Sequence, residues 1–189
     1  MEAPAVLPRA RRPFLLPVWL TFAALLALLV VAVVALFIYR SATTTVVVLT
    51  RHAEKEINSI QDPPLSEDGE RRAQRLAQLF ARGPGSGHLD AIYVSPTRRT
   101  QQTAAPLAER LGEPLLPLQQ GDIKAMAARI LREHRGDTVL VVGHSNTIPA
   151  LIRELAAIEV TPIAEDEYGT LYVVSVPSFG HANLLRMQY

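Results

Sequence analysis

His52 and His144 each stand directly beyond a short β-branched apolar run, TTTVVVLTRH at 43–52 and DTVLVVGHSN at 137–146. Runs of this kind suit parallel strands buried on both faces, and in open parallel sheets ligands bind outside the carboxyl ends of the strands. Arg51 precedes the first histidine, and Arg98 and Arg99 follow a third apolar run, Asp90–Val94. Three strand ends therefore carry guanidinium or imidazole groups, and parallel order gathers them at one edge. A phosphoryl group is the natural occupant, because its charge is spread over oxygens that planar guanidinium forks and ring N–H groups can hold during transfer. Helix amino ends near Ser95 and Ser145 add backbone amides to the same edge.

The elements that must position these side chains alternate between strand and helix, which predicts a layered αβα sandwich of the α/β class with a mostly parallel central sheet. The first strand is expected over Thr44–Thr50. Ser66 then caps a helix to about Arg82, with Ala73, Leu76, Ala77 and Phe80 on its apolar face and three acids in its first turn. GPGSG at 83–87 breaks that helix before the second strand, Asp90–Val94. The next helix spans about Pro96–Leu111, kinked by Pro106 and stopped by Gly112. A brief strand over Pro114–Leu118, a helix over Asp122–His134, a strand over Thr138–Val142 and a helix over Thr147–Ile158 follow. An acidic loop leads to a closing strand near Leu171–Val176.

Ahead of this domain, residues 13–39 carry no charge. A bilayer-spanning helix needs about 20 predominantly apolar residues, whereas the apolar core of a cleavable signal takes about 7–15 and precedes a small-residue cleavage site. The segment is therefore read as a single transmembrane signal anchor. It follows a basic tail (1–12) and leads through a short linker (40–43) to the domain at 44–189. Arg9, Arg11 and Arg12 precede the span and only Arg40 closely follows it, so the positive-inside bias puts the domain on the extracytoplasmic side. Residues 1–40 hold four arginines and one acid, net +3, which leaves −2 for the remainder of a chain whose formal charge is +1. That balance gives no footprint for nucleic acid. The absence of cysteine excludes thiol catalysis and thiolate metal sites.

Four motifs in order extend the reading. RHAEK at 51–55 resembles the RHG-type signature of the histidine phosphatase superfamily, with Ala53 in place of the usual glycine. LSEDG at 65–69, SPTRRTQQTA at 95–104 and VVGHSN at 141–146 resemble its later elements. The resemblance covers nearly the whole domain from Thr44 onward. It implies that His52 is a nucleophile forming a covalent phosphohistidine, and that Arg51, Arg99 and His144 clamp the phosphoryl oxygens. It also implies a phosphate contact from Asn58, and it selects Arg99 over Arg98 by spacing from Ser95. A histidine attacks only when neutral, and a surrounding cationic cluster disfavours its protonation.

The leaving oxygen needs a proton, which a positioned carboxyl usually supplies. Asp122 lies where relatives place that acid, although helix capping alone would also account for it; Glu54 is the next candidate. Clustered arginines disfavour a metal, and no cofactor is called for. The expected function is that of a membrane-tethered, metal-independent phosphatase acting on a phosphorylated small molecule or phosphoprotein. The alternatives are a phosphoglycerate mutase-type phosphotransferase and a phosphate-binding domain without turnover.

Overall fold

The computed structural model describes residues 18–41, 43–57, 61–80, 88–118 and 121–189. The chain divides into two compact units at Ser41/Ala42. In the first, helix α1 (Val18–Ser41) presents apolar side chains to the outside along its described length. Its stretch Val18–Tyr39 is long and apolar enough to cross a bilayer, a property that signal sequences share. Residues 1–17, including the basic tail and the beginning of the expected span, lie outside the described residues.

The second unit is built on one six-stranded sheet of order β3-β2-β4-β1-β5-β6. Strands β1 (Thr44–Arg51), β2 (Ala91–Val94), β3 (Leu115–Pro117) and β4 (Thr138–Gly143) are mutually parallel. Strand β5 (Thr170–Pro177) pairs antiparallel with β1, and β6 (Asn183–Gln188) pairs antiparallel with β5. The sheet is thus mostly parallel with an antiparallel hairpin on one flank.

Successive strand residues point to opposite faces, and the middles of the central strands, Val46–Leu49 and Val139–Val142, are apolar at consecutive positions because both faces are covered. Val48, Leu140, Val142 and Ile92 pack under helices α2 (Glu67–Leu79) and α3 (Arg98–Leu111), with Leu76, Ala77, Ala104 and Leu107 opposite them. Val47, Leu49, Val139, Val141 and Tyr93 pack on the other face against α4 (Ile123–Glu133) and α5 (Thr147–Ala156), through Met126, Ile130, Ile148 and Ile152. Burying a side chain of this size stabilises by about 1.5–3 kcal/mol, so the two slabs fix the strands that carry the site.

Local chemistry sets the helix ends. Ser66 caps α2 by accepting from the Gly69 amide at 3.2 Å, and Gly112 closes α3 in the left-handed region at φ 72°. Helix α3 continues through Pro106.

Some boundaries differ from expectation. Helix α2 ends at Leu79, and 81–87 lie outside the described residues. Helix α5 ends at Ala156, because Ala157 turns left-handed at φ 55°. Strand β6 is an addition to the expected elements. Its side chains are exposed except for the half-buried Leu184, and such an edge strand loses the apolar alternation that marks a half-buried one.

Candidate functional site

The juxtaposition of the two histidines is a matter of register. Strands β1 and β4 pair so that Arg51 lies opposite Gly143, which brings the next residue of each strand, His52 and His144, side by side. The His52 amide donates to the Gly143 carbonyl at 3.0 Å, and the two rings stand 5.4 Å apart at 67°. A Cβ at Gly143 would fall 2.9 Å from the Thr147 hydroxyl oxygen, so any side chain at the strand exit would force that neighbour to shift. The β2–β4 register, Val94 opposite Val142, then sets Ser95 beside His144. The Ser95 hydroxyl lies 2.8 Å from His144 Nε2.

His52 is almost wholly buried. Its Nδ1 lies 2.8 Å from the Ala53 carbonyl oxygen. A carbonyl only accepts, so Nδ1 carries the hydrogen and the neutral ring keeps its lone pair on Nε2. Burial lowers the pKa of His52 from 6.5 to about 4 against the opposing Ala53 bond, and Arg51, Arg99 and His144 push the same way as burial. Burial likewise lowers His144 to about 4, with Arg99 and then Arg51 adding to it. Both rings are neutral at neutral pH.

Arg51 and Arg99 complete the cluster. Arg51 donates through Nη1 to the carbonyls of Ala164 (2.7 Å), Glu165 (2.9 Å) and Glu167 (3.3 Å), and through Nη2 to the Glu165 carboxylate at 2.9 Å. Its guanidinium lies 4.5 Å from the centre of the Tyr168 ring, a cation–π arrangement. Arg99 makes one ion pair among the described residues, to Asp62 at 3.3 Å. The Nε atoms of both arginines are buried without a hydrogen-bond partner among the described residues. Orphaned N–H donors are costly to bury, and here both belong to arginines that line one pocket.

That pocket has a volume of about 340 Å³. Arg51, His52, Arg99 and His144 line it together with Lys55, Thr97, Ser145, Asn146 and Glu165. Thr97 and Asn146 are the N-cap residues of α3 and α5, and neither makes a side-chain capping bond. Two helix amino ends therefore meet the cavity, where they favour negative charge.

The remaining motif residues hold this geometry. On α3, Gln102 accepts from the Leu65 amide at 2.9 Å and Thr103 accepts from the Ala53 amide at 3.0 Å. Positions 99, 102 and 103 share one helix face, so the turn that holds Arg99 also fixes the loop that carries His52. Gly69 does the same from α2: a Cβ there would collide with the Glu54 carbonyl oxygen. The Ala53 methyl is fully buried against Leu65 and Ala73, which accommodates alanine where the family signature has glycine.

Asp122 is not brought to this cluster. Its carboxylate caps α4, accepting from the Ala125 amide at 2.8 Å, and it is absent from the pocket lining. In the structure Asp122 serves as the cap of α4. Glu54 is held by a two-oxygen ion pair with Arg72. Burial raises the Glu54 carboxyl, but the Arg72 bonds outweigh it and leave the pKa below the usual range. Glu54 is therefore an ionised partner of Arg72. Asn58 lies outside the described residues.

Three contributors carry no signal in the sequence. Glu165, Tyr168 and Asp62 come from loops without a local pattern, and Glu165 reads there as one more member of an acidic loop. Lys55 was within reach, as it ends the RHAEK motif.

A model of the histidine phosphatase superfamily (branch 1) matches residues 47–122, from β1 to the cap of α4. Phosphoserine phosphatase 1 of Hydrogenobacter thermophilus is 46% identical over 68 residues, 33% of this chain. The matched stretch is 30% of that relative's length, so the chain spans about a third of the curated relative it matches. The protein histidine phosphatase SixA complexed with tungstate superposes with a TM-score of 0.63 at 22% identity, covering 76% of this chain and 96% of that one. Phosphoglycerate mutase from Bacillus anthracis str. Sterne superposes at 0.58 and 16% identity, covering 78% and 94%. These two structures share the fold. The paired histidines at adjacent strand ends, with their arginines, line one pocket on a layered α/β scaffold. Over residues 47–122 the chain is similar to the histidine phosphatase superfamily.

Proposed function

We propose that this chain is a membrane-tethered phosphatase that hydrolyses phosphomonoesters or phosphohistidine through a covalent phosphohistidine on His52, with no step routed through a metal. The observation that carries the proposal is the Nδ1–Ala53 bond, which leaves the basic nitrogen of a buried, neutral His52 at Nε2, in a pocket lined also by His144, Arg51 and Arg99.

In the first step the Nε2 lone pair attacks phosphorus, and the bond from phosphorus to the leaving oxygen or nitrogen breaks with its electrons going to the leaving group. Arg51, Arg99 and the α3 and α5 amino ends hold the charge that develops on the phosphoryl oxygens. In the second step water attacks the phosphohistidine, releases inorganic phosphate and returns the ring to its starting state.

Among the described residues Glu165 is the one carboxylate in the pocket lining, and the Ser145 hydroxyl followed by the Arg51 charge lowers its pKa. It is ionised at neutral pH and supplies no proton to a departing alkoxide. That favours substrates whose leaving group departs readily, and phosphohistidine is such a substrate. Release of inorganic phosphate from phosphohistidine peptide, phosphoserine and 3-phosphoglycerate ranks the classes, and isomer formation without phosphate release identifies a mutase instead.

His52→Ala is expected to lower turnover by about 10⁴–10⁶-fold and to abolish an acid-labile phosphoenzyme. Retention of either overturns the mechanism. The domain is proposed to face the extracytoplasmic side; protease added to intact cells digests it there, and digestion only after lysis reverses that orientation.

A further inference from the structure

The end of the domain opposite the pocket carries an arrangement that phosphoryl chemistry does not use. Thr43, the residue before β1, is bound to the turn that joins β5 and β6. The Ser178 amide and hydroxyl both donate to the Thr43 carbonyl, at 2.8 and 3.0 Å, and the two hydroxyls lie 3.1 Å apart. The next residue of that turn is Phe179, 73% exposed. Among the described residues of this unit it is the one aromatic in the set of large exposed apolar side chains, and Gly180 beside it, at φ 102°, has open space around it.

Thr43 is flanked on another side by the turn after α4. Gly136 packs so closely that a Cβ there would fall 3.3 Å from the Thr43 Cβ. The Gly136 amide donates to the Thr45 hydroxyl, which donates in turn to the His134 carbonyl. Between these residues stands Arg135, exposed to solvent. An exposed phenyl ring and an exposed guanidinium are thus fixed beside the point where the chain enters the domain.

Chain connectivity limits what this point can face. Only Ala42 and Thr43 separate the end of α1 from the start of β1, and three residue steps reach at most about 11 Å. If α1 spans a bilayer, Thr43 is held within that distance of the helix end. Aromatic rings and basic side chains are the groups that settle at the headgroup layer, the ring among the upper acyl carbons and the cation on phosphate oxygens.

We propose that the Ser178–Ala182 turn docks on the lipid surface, with Phe179 inserted at the membrane interface and Arg135 on lipid phosphate. The proposal rests on α1 being a membrane anchor. It adds a second attachment of the domain, made by residues far from the anchor in sequence.

The test uses the full chain reconstituted in phosphatidylcholine vesicles. A Trp19→Phe background removes the sole native tryptophan, and Phe179→Trp places an indole reporter in the turn. Ile57→Trp in the same background is the control, on a fully exposed residue beyond the pocket end of β1. The reporter in the turn is expected to emit to the blue of the control and to lose most of its intensity when the lipid is brominated on its upper acyl carbons, while the control is unaffected.

Equal, red, unquenched emission from both variants overturns docking while leaving the anchor intact, provided the chain resists carbonate extraction. Blue emission from the turn reporter that brominated lipid leaves unchanged means protein covers the ring, as in a second copy, and also overturns it. Extraction by carbonate removes the anchor reading and the docking with it.

Discussion

Arg51 and Arg99 line the same pocket, yet they are held in opposite ways. Arg51 is 3% exposed, takes three backbone carbonyls and a carboxylate, and lies over Tyr168. Arg99 has a single 3.3 Å contact with Asp62, whose side chain is 47% exposed. Arg51 fastens the 164–168 loop to the end of β1, so it is part of the fold before any ligand arrives. Arg99 rides on α3 and is restrained by a carboxylate that an incoming oxyanion can replace. Two guanidinium groups lining one pocket therefore differ in how much of the structure depends on them, and the pocket is tied down on its β1 side and more loosely held on its α3 side.

The largest expected effect separates folding from catalysis at these corners. Arg51→Ala removes a preorganised donor, at a cost of about 10²–10³ in kcat. It also strips charge-assisted bonds from partly buried carbonyls, at a cost of about 3 kcal/mol in urea unfolding. Arg99→Ala is expected to match the loss in kcat while the unfolding midpoint barely moves, since a part-exposed pair is worth about 0–1 kcal/mol. Equal destabilisation by both variants breaks the comparison. Arg51→Lys is expected to recover neither property, because an ammonium cannot reproduce the planar fork.

A pH titration sharpens the same contrast. Burial is the main cause of the low pKa values near 4 at His52 and His144, and the next charge is Arg51 for the first ring and Arg99 for the second. Ring resonances followed by NMR should show His52 moving up more in Arg51→Ala and His144 moving up more in Arg99→Ala. In the parent chain, activity should persist well below pH 6.5 and disappear as pH falls through about 4, where the rings become cationic. Between 6.5 and 4 the unfolded chain binds protons that the folded rings refuse. The contribution of these rings to stability is therefore fully present above 6.5 and declines as pH drops through that window.

Smaller effects are expected from the carboxylates. Asp62→Asn frees Arg99 from its competitor and should tighten competitive inhibition by inorganic phosphate by about 10-fold or less, in line with a part-exposed pair worth up to about 1 kcal/mol. Smallest is Asp122→Asn, which keeps a good capping side chain and should leave kcat and its pH profile unchanged. A clear fall in kcat with that variant restores Asp122 as the proton donor.

The legible part of the site lies where function and local structure coincide. Arg51, His52 and His144 sit at the ends of β-branched runs, and Arg99 sits in the first turn of a helix, so period and position announce them. Their contacts were not legible. The Arg51 partners lie 113 to 116 residues away, and nothing in an acidic loop distinguishes Glu165 from a solvated residue. Asp122 is ambiguous for the converse reason, because one residue type in one place suits both a catalytic and a capping role; the coordinates show the cap. Strand β6 was hidden for a further reason, since its register comes from β5 and a turn rather than from burial of its own side chains.

Gly69 carries one more consequence. The peptide it presses against begins with the carbonyl carbon of Glu54, one residue beyond the Ala53 carbonyl that fixes the His52 ring. A methyl at position 69 would lever helix α2 off that loop and loosen the grip on the imidazole hydrogen. The tautomer of His52 is thereby calibrated from seventeen positions downstream, by a residue that contributes nothing but the absence of a side chain.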